Sequence, residues 1–215
     1  MLIAEMLLLV AVNDQGHVSP WSGGSFLDAG LTGALLAELA IGGQLTIASD
    51  GTVRARDTRP DDALLADVYD AVREHLQGRK AKQVIGGLSR HIGGSRNRVV
   101  DRLAGAGVLG RARPSIWRPT QHPVIDTATH RAVLDQVRAA ATGQGPVPPD
   151  VAVVLALAGP CRLLERVAPD RGTRGQAKKR IAQATAETPF APGVAQIVDQ
   201  LIAAVAVTAT SIAAS

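Results

Sequence analysis

The sequence predicts a mainly α-helical protein, one globular domain over residues 1–215 with a buried central helix bundle and small β-hairpins. Three observations carry this reading. Hydrophobic residues make up 46% of the chain and aromatic residues only 2%, so the core has to be built from Leu, Val, Ile and Ala. Ala and Leu are strong helix formers, and neither suits a β-sandwich especially well. The stretch "LDAGLTGALLAELAIGG" sets Leu27, Leu31, Leu35 and Leu39 at i+4 steps, with Leu36 and Ile41 widening the stripe, as a central helix requires.

The elements follow in order. "MLIAEMLLLVAV" has the apolar run of a secretion signal but no basic start and no small-residue cleavage site, and it contains Glu5. It is too short to span a bilayer. The closing run "VAQIVDQLIAAVAVTATSIAAS" is interrupted by Asp199 and turns polar, short of the ~20 apolar residues a span needs. Both ends therefore read as buried helices of a soluble protein. Between the first helix and the central one, "HVSPWSGGSF" is a Ser/Gly-rich loop that carries Trp21. "GGQLTIASDGTVRARD" has two β-prone runs around Asp50 and Gly51, the chemistry of a two-residue hairpin turn. "RPDDALLADVYDAVREHLQG" starts with acids and ends at Gly78, as a helix does.

A shorter helix is expected in "AKQVIGGLSRHI". In "GGSRNRVVDRLAGAGVL", Ser95 is the expected N-cap, with Val99, Val100 and Leu103 inward and Arg98 and Arg102 outward. "GRARPSIWRPTQHPVID" reads as a projecting hairpin, "DTATHRAVLDQVRAAATG" as a helix and "QGPVPP" as a linker-like stretch. "DVAVVLALAGPCRLLERVA" is a buried helix that Gly159 and Pro160 should bend or break. "TRGQAKKRIAQATAE" is a basic amphipathic segment, and its exposed cations read as a solvated face.

The formal charge of +4 is unevenly placed. From Arg79 to Trp117 there are nine Lys or Arg against one acid, Asp101, a local balance of +8 that leaves −4 for the rest. Such polarity points to an anionic partner, a nucleic acid or a membrane surface. The lone Cys161 has no disulfide partner, which fits a reducing, cytoplasmic setting, and it reads as a small buried hydrophobe.

Catalytic signatures are missing from the sequence. His17, His75, His91, His122 and His130 show no metal-ligand spacing, and there is no Walker sequence, strand-borne GxGxxG or GxSxG elbow. A binding protein that uses no cofactor and no metal is expected, not an enzyme. Two binding readings remain. Residues 80–118 can form a winged helix-turn-helix, with Arg98 and Arg102 in the DNA groove and Arg111, Arg113 and Arg118 on phosphates. Alternatively the basic patch meets an anionic membrane and Trp21 enters the headgroup layer. Indole favours that depth, and each nearby cation adds about 1 kcal/mol. The glycines of "IGGSR" open a helix N-terminus that can receive a phosphate.

"EMLLLVAVNDQG", "PWSGGSFLDAGLTGALLAELAIGGQL", "RNRVVDRLAGAGVL", "QHPVID" and the apolar C-terminal helices, in this order, resemble the Golgi phosphoprotein 3 family in its actinobacterial form. The most specific piece is Trp21 followed by the Leu-Asp-x-Gly-Leu-x-Gly helix. The resemblance implies a peripheral membrane protein that binds phosphatidylinositol 4-phosphate in a basic pocket beside a tryptophan, with a hairpin used in self-association, here the one around Trp117. By resemblance Trp21 is the membrane-facing tryptophan and Arg96 a pocket arginine, with Arg98 close by and Arg90 just upstream able to compensate. Two other pocket arginines of the family pattern fall on Gly93 and Thr32. Trp21 could instead pack onto Phe26 as a lid, but its setting favours exposure.

Overall fold

The computed structural model describes residues 1–18, 24–111, 121–187 and 194–213. Its ten described α-helices and one two-stranded antiparallel sheet bear out the mainly helical reading. The hairpin expected around Trp117 lies outside the described residues, as does Trp21.

Two helices make the centre. Helix α1 (Ile3–Ala11) is buried along its whole length, Glu5 included, and α2 (Ser25–Ile41) buries all but a few residues. Helices that are apolar all round are those of an interior. Around α2 pack α1, α3 (Ala63–Ala71), α4 (Ala81–Ile92), α5 (Ser95–Gly105), α7 (Pro149–Ala158) and α10 (Val194–Ala213). Two glycines let them approach closely. A Cβ at Gly30 would run into Cys161 Sγ, and one at Gly33 into Val205 Cγ2 of α10. Gly30 and Gly33 are the small positions of the Leu-Asp-x-Gly-Leu-x-Gly signature, which is thus a helix-packing motif.

The local signals largely act as expected. Asp62 caps α3 by accepting from the Leu64 and Leu65 amides, and Asp126 does the same for the start of α6 (Thr127–Thr142). Helix α7 stops before Gly159 and Pro160, and the chain resumes in the short α8 (Leu164–Val167). Helix α9 (Arg174–Glu187) packs on α6 and α7.

Three details differ from the sequence reading. Strands β1 (Leu45–Ile47) and β2 (Val53–Ala55) pair with Ile47 opposite Val53, so the turn is longer than two residues. Ala48 and Thr52 close it, and Gly51 sits at φ +82°, the left-handed position after a type I turn. Helix α3 continues as a π-helical turn over Val72–Leu76. Ser95 is not the N-cap of α5: Gly94 takes that place, and Ser95 turns inward, buried.

Candidate functional site

The N-terminal turns of α2 and α5 and the outer face of α4 enclose a cleft of about 480 Å³. Gly93 and Gly94, at φ +75° and +93°, make the tight turn that brings the start of α5 against α2. Gly93 is where the family pattern has an arginine, and here the left-handed backbone favours glycine.

Three hydroxyls line the floor. Thr32 Oγ1 donates to the Asp28 carbonyl at 2.9 Å and lies 2.7 Å from Ser95 Oγ, with Ser89 Oγ a further 3.3 Å on. The directions agree if Ser89 donates to Ser95 and Ser95 to Thr32. Thr32 is fully buried, so it serves as a strut between α2 and α5. Thr208 of α10 also lines the cleft, and its buried hydroxyl has no partner among the described residues.

The charged lining among the described residues is one cation and one anion. Arg96 Nε lies 2.8 Å from Asp28 Oδ1, and its Nη2 donates to the Gly24 carbonyl at 2.8 Å. Burial pushes the Asp28 carboxyl above the usual carboxylate range, and the nearby Arg96 only partly offsets this. Gly24 follows Trp21 by three residues in the chain, so Arg96 is tied to the end of the segment that carries the tryptophan.

The other sequence candidates go elsewhere. Arg98 pairs with Asp67 of α3 and lines a different hollow. Arg102, expected outward, reaches Glu5 at 2.9 Å and Asp62 at 2.7 Å, where it neutralises a buried carboxylate. Arg90 is exposed on the far side of α4, in a groove of its own. Four of the nine cations counted between Arg79 and Trp117 (Lys80, Arg96, Arg98 and Arg102) are thus in ion pairs. The winged-helix reading loses both side chains it sent into the DNA groove. Asp28, Ser95 and Thr208 are not among the site residues the sequence singles out: Ser95 reads as an N-cap, Asp28 stands only within the Leu-Asp-x-Gly signature, and Thr208 is remote in sequence.

Two histidines are buried. His130 Nε2 lies 3.1 Å from the Leu9 carbonyl and 3.0 Å from that of Val12, so it is satisfied internally. His122 Nδ1 has no partner, and burial, with the Arg96 charge second, pushes its imidazole below the ordinary value. Among the described residues no group of three His, Cys, Asp or Glu could hold a metal. Nor is any described helix long and apolar enough to cross a membrane.

Among curated proteins compared with the chain, none matches. The family model described as Golgi phosphoprotein 3 (GPP34) matches residues 2–201, from the start of α1 into α10, and so includes α2, α4 and α5 around the cleft. The chain belongs to the Golgi phosphoprotein 3 family.

Proposed function

We propose that the chain is a peripheral membrane protein that binds anionic phospholipid headgroups in the cleft between α2 and α5. The observation that carries this reading is Arg96 at the first turn of α5, where a guanidinium and the free amides of a helix start face one opening. Both favour a phosphate oxygen. In this reading Arg96 holds the phosphate, Asn97 and the Thr208 hydroxyl donate to headgroup oxygens, and Trp21 inserts its indole at headgroup depth. Arg90 and Arg98 contribute to the approach field. Thr32 is a floor residue. Phosphatidylinositol 4-phosphate is the headgroup the family resemblance implies, and self-association through the Trp117 segment belongs to the same reading.

Co-sedimentation with phosphatidylcholine vesicles, with and without phosphatidylinositol 4-phosphate, tests it. Retention on the phosphoinositide vesicles, lost in Trp21→Ala and in Arg96→Ala, is the expected result. Equal retention of all three proteins, or none on either vesicle at modest salt, overturns the reading. Sedimentation equilibrium of Trp117→Ala tests the self-association, which should weaken.

A further inference from the structure

Adjoining the cleft across Gly86, which lines both, the π-helical turn and α4 enclose a groove of about 600 Å³. Gly87 lets the two elements close up, since a Cβ there would lie 3.3 Å from Leu76 Cδ2. This approach lays His75 of the π-turn over His91 of α4, with ring centroids 4.5 Å apart and planes 18° from parallel. Arg79 and Arg90 line the same groove, and among the described residues neither is in an ion pair. Arg79 is held in place by its backbone, which accepts from Val53 and donates to Leu76.

The acids near this wall are largely committed. Asp67 and Asp70 of α3 are engaged by Arg98 and Arg59. Glu74 stands 3.7 Å from His75 Nε2, on the other side of the histidine pair from the arginines in the hollow it shares with Asp67 and Asp70. Of the remaining nearby cations, Arg73 donates to the Tyr69 hydroxyl, Lys80 is paired with Asp50, and Lys82 is exposed at the start of α4. Arg79 and Arg90 stand on the side of the stacked imidazoles away from Glu74, in a groove whose lining holds no acid. Two stacked imidazoles that both carry a proton repel each other, and an anion held between them and the arginines relieves that repulsion. π-turns of this kind recur at functional sites.

We propose that this groove is a second anion site, separate from the α2–α5 cleft, which takes a phosphate group between Arg79, Arg90 and the His75–His91 pair and holds it more tightly as the pH falls. The site does not depend on the headgroup reading of the cleft. A phosphate could reach it free in solution or on a lipid, and the recognition chemistry is the same for both.

The test is an NMR titration of the full chain with inorganic phosphate and with sulfate at pH 7.5 and 5.5, following the imidazole signals and the Gly87 amide, since Gly87 lines the groove and not the cleft. Sulfate keeps its charge over this range, so a pH effect seen with it belongs to the protein. We expect saturable shifts with both anions, sulfate binding at least fivefold tighter at pH 5.5, and at least fivefold weakening in Arg90→Ala at either pH. His75→Asn/His91→Asn should bind with no pH dependence, and Arg96→Ala should leave the groove shifts in place. A parallel arm uses vesicles with and without phosphatidic acid. Retention that persists in Arg96→Ala and is lost on adding Arg90→Ala would assign the lipid source, and no Arg90-dependent retention in the Arg96→Ala background would assign free phosphate. The proposal is overturned if neither anion shifts the groove residues, if sulfate binds equally at both pH values, or if the only saturable shifts surround Arg96. His75, Arg90 and His91 are exposed, and unchanged amide signals elsewhere verify the fold of each variant, Arg96→Ala included.

Discussion

Arg96 Nε lies 2.8 Å from Asp28 Oδ1, so the arginine at the start of α5 meets any ligand as half of an ion pair. Asp28→Asn removes the competing carboxylate and should tighten phosphoinositide vesicle binding. Hydrogen bonds to a charged group are worth roughly 1.5–3 kcal/mol, and recovering part of one gives about tenfold. The pH dependence follows from the raised Asp28 carboxyl. This group favours the folded chain most when protonated, below its ordinary value of 3.8, and that contribution is lost as the pH rises through the raised folded value. Below that folded value Arg96 is released, so in the His75→Asn/His91→Asn background the gain from Asp28→Asn should shrink on acidification, the headgroup's own protonation being common to both proteins. Co-sedimentation from pH 7 to 4.5 checks both.

Gly33→Ala should loosen α10. The added Cβ collides with Val205 Cγ2, and overpacking of this kind costs about 1–3 kcal/mol. Val205→Ala in the same chain should recover part of the loss. Thermal unfolding of the two single variants and the double variant measures the coupling, and strictly additive effects would show that the two positions do not meet.

Arg102→Ala should destabilise the fold by about 2–3 kcal/mol, less than the 3–5 kcal/mol of a fully buried pair because Arg102 keeps part of its exposure to solvent. The cost arises because Glu5, at 7% side-chain exposure, loses its cation. Urea unfolding at pH 7 measures it. A loss below about 0.5 kcal/mol would place Arg102 among ordinary surface cations.

Cys161 should be inert in the folded protein. Its side chain is fully buried against the Gly30 position of α2, and burial pushes the thiol up to about 12. At pH 8 a disulfide reagent should leave the native chain unmodified and react with one thiol per chain in denaturant. Rapid native labelling would contradict this burial.

Much of the fold was legible because it rests on local patterns. The i+4 leucines of α2, the acids that open α3 and the break at Gly159 and Pro160 each act within one or two helical turns, and each falls where the spacing puts it. The turn around Asp50 and Gly51 was legible in kind but not in length, because strand register is settled by pairing across the sheet. The candidate site was legible in part. Thr32 and Arg96 do share a cleft, whereas Arg90 and Arg98 face other hollows, and Trp21 lies outside the described residues.

The sequence by itself determined that the chain is helical, that its core is aliphatic, and that its cations concentrate between Arg79 and Trp117, since composition and periodicity are properties of the chain alone. Only the tertiary structure decided which of those cations meet a carboxylate of the chain itself. Arg102 is neutralised by Glu5 and Asp62, Arg98 by Asp67 and Arg96 by Asp28, while Arg79 and Arg90 meet no acid among the described residues. The physical reason is distance. A cation is quenched by a carboxylate within a few ångströms in space, and Glu5 and Arg102 stand 97 residues apart in the chain yet 2.9 Å apart in the fold.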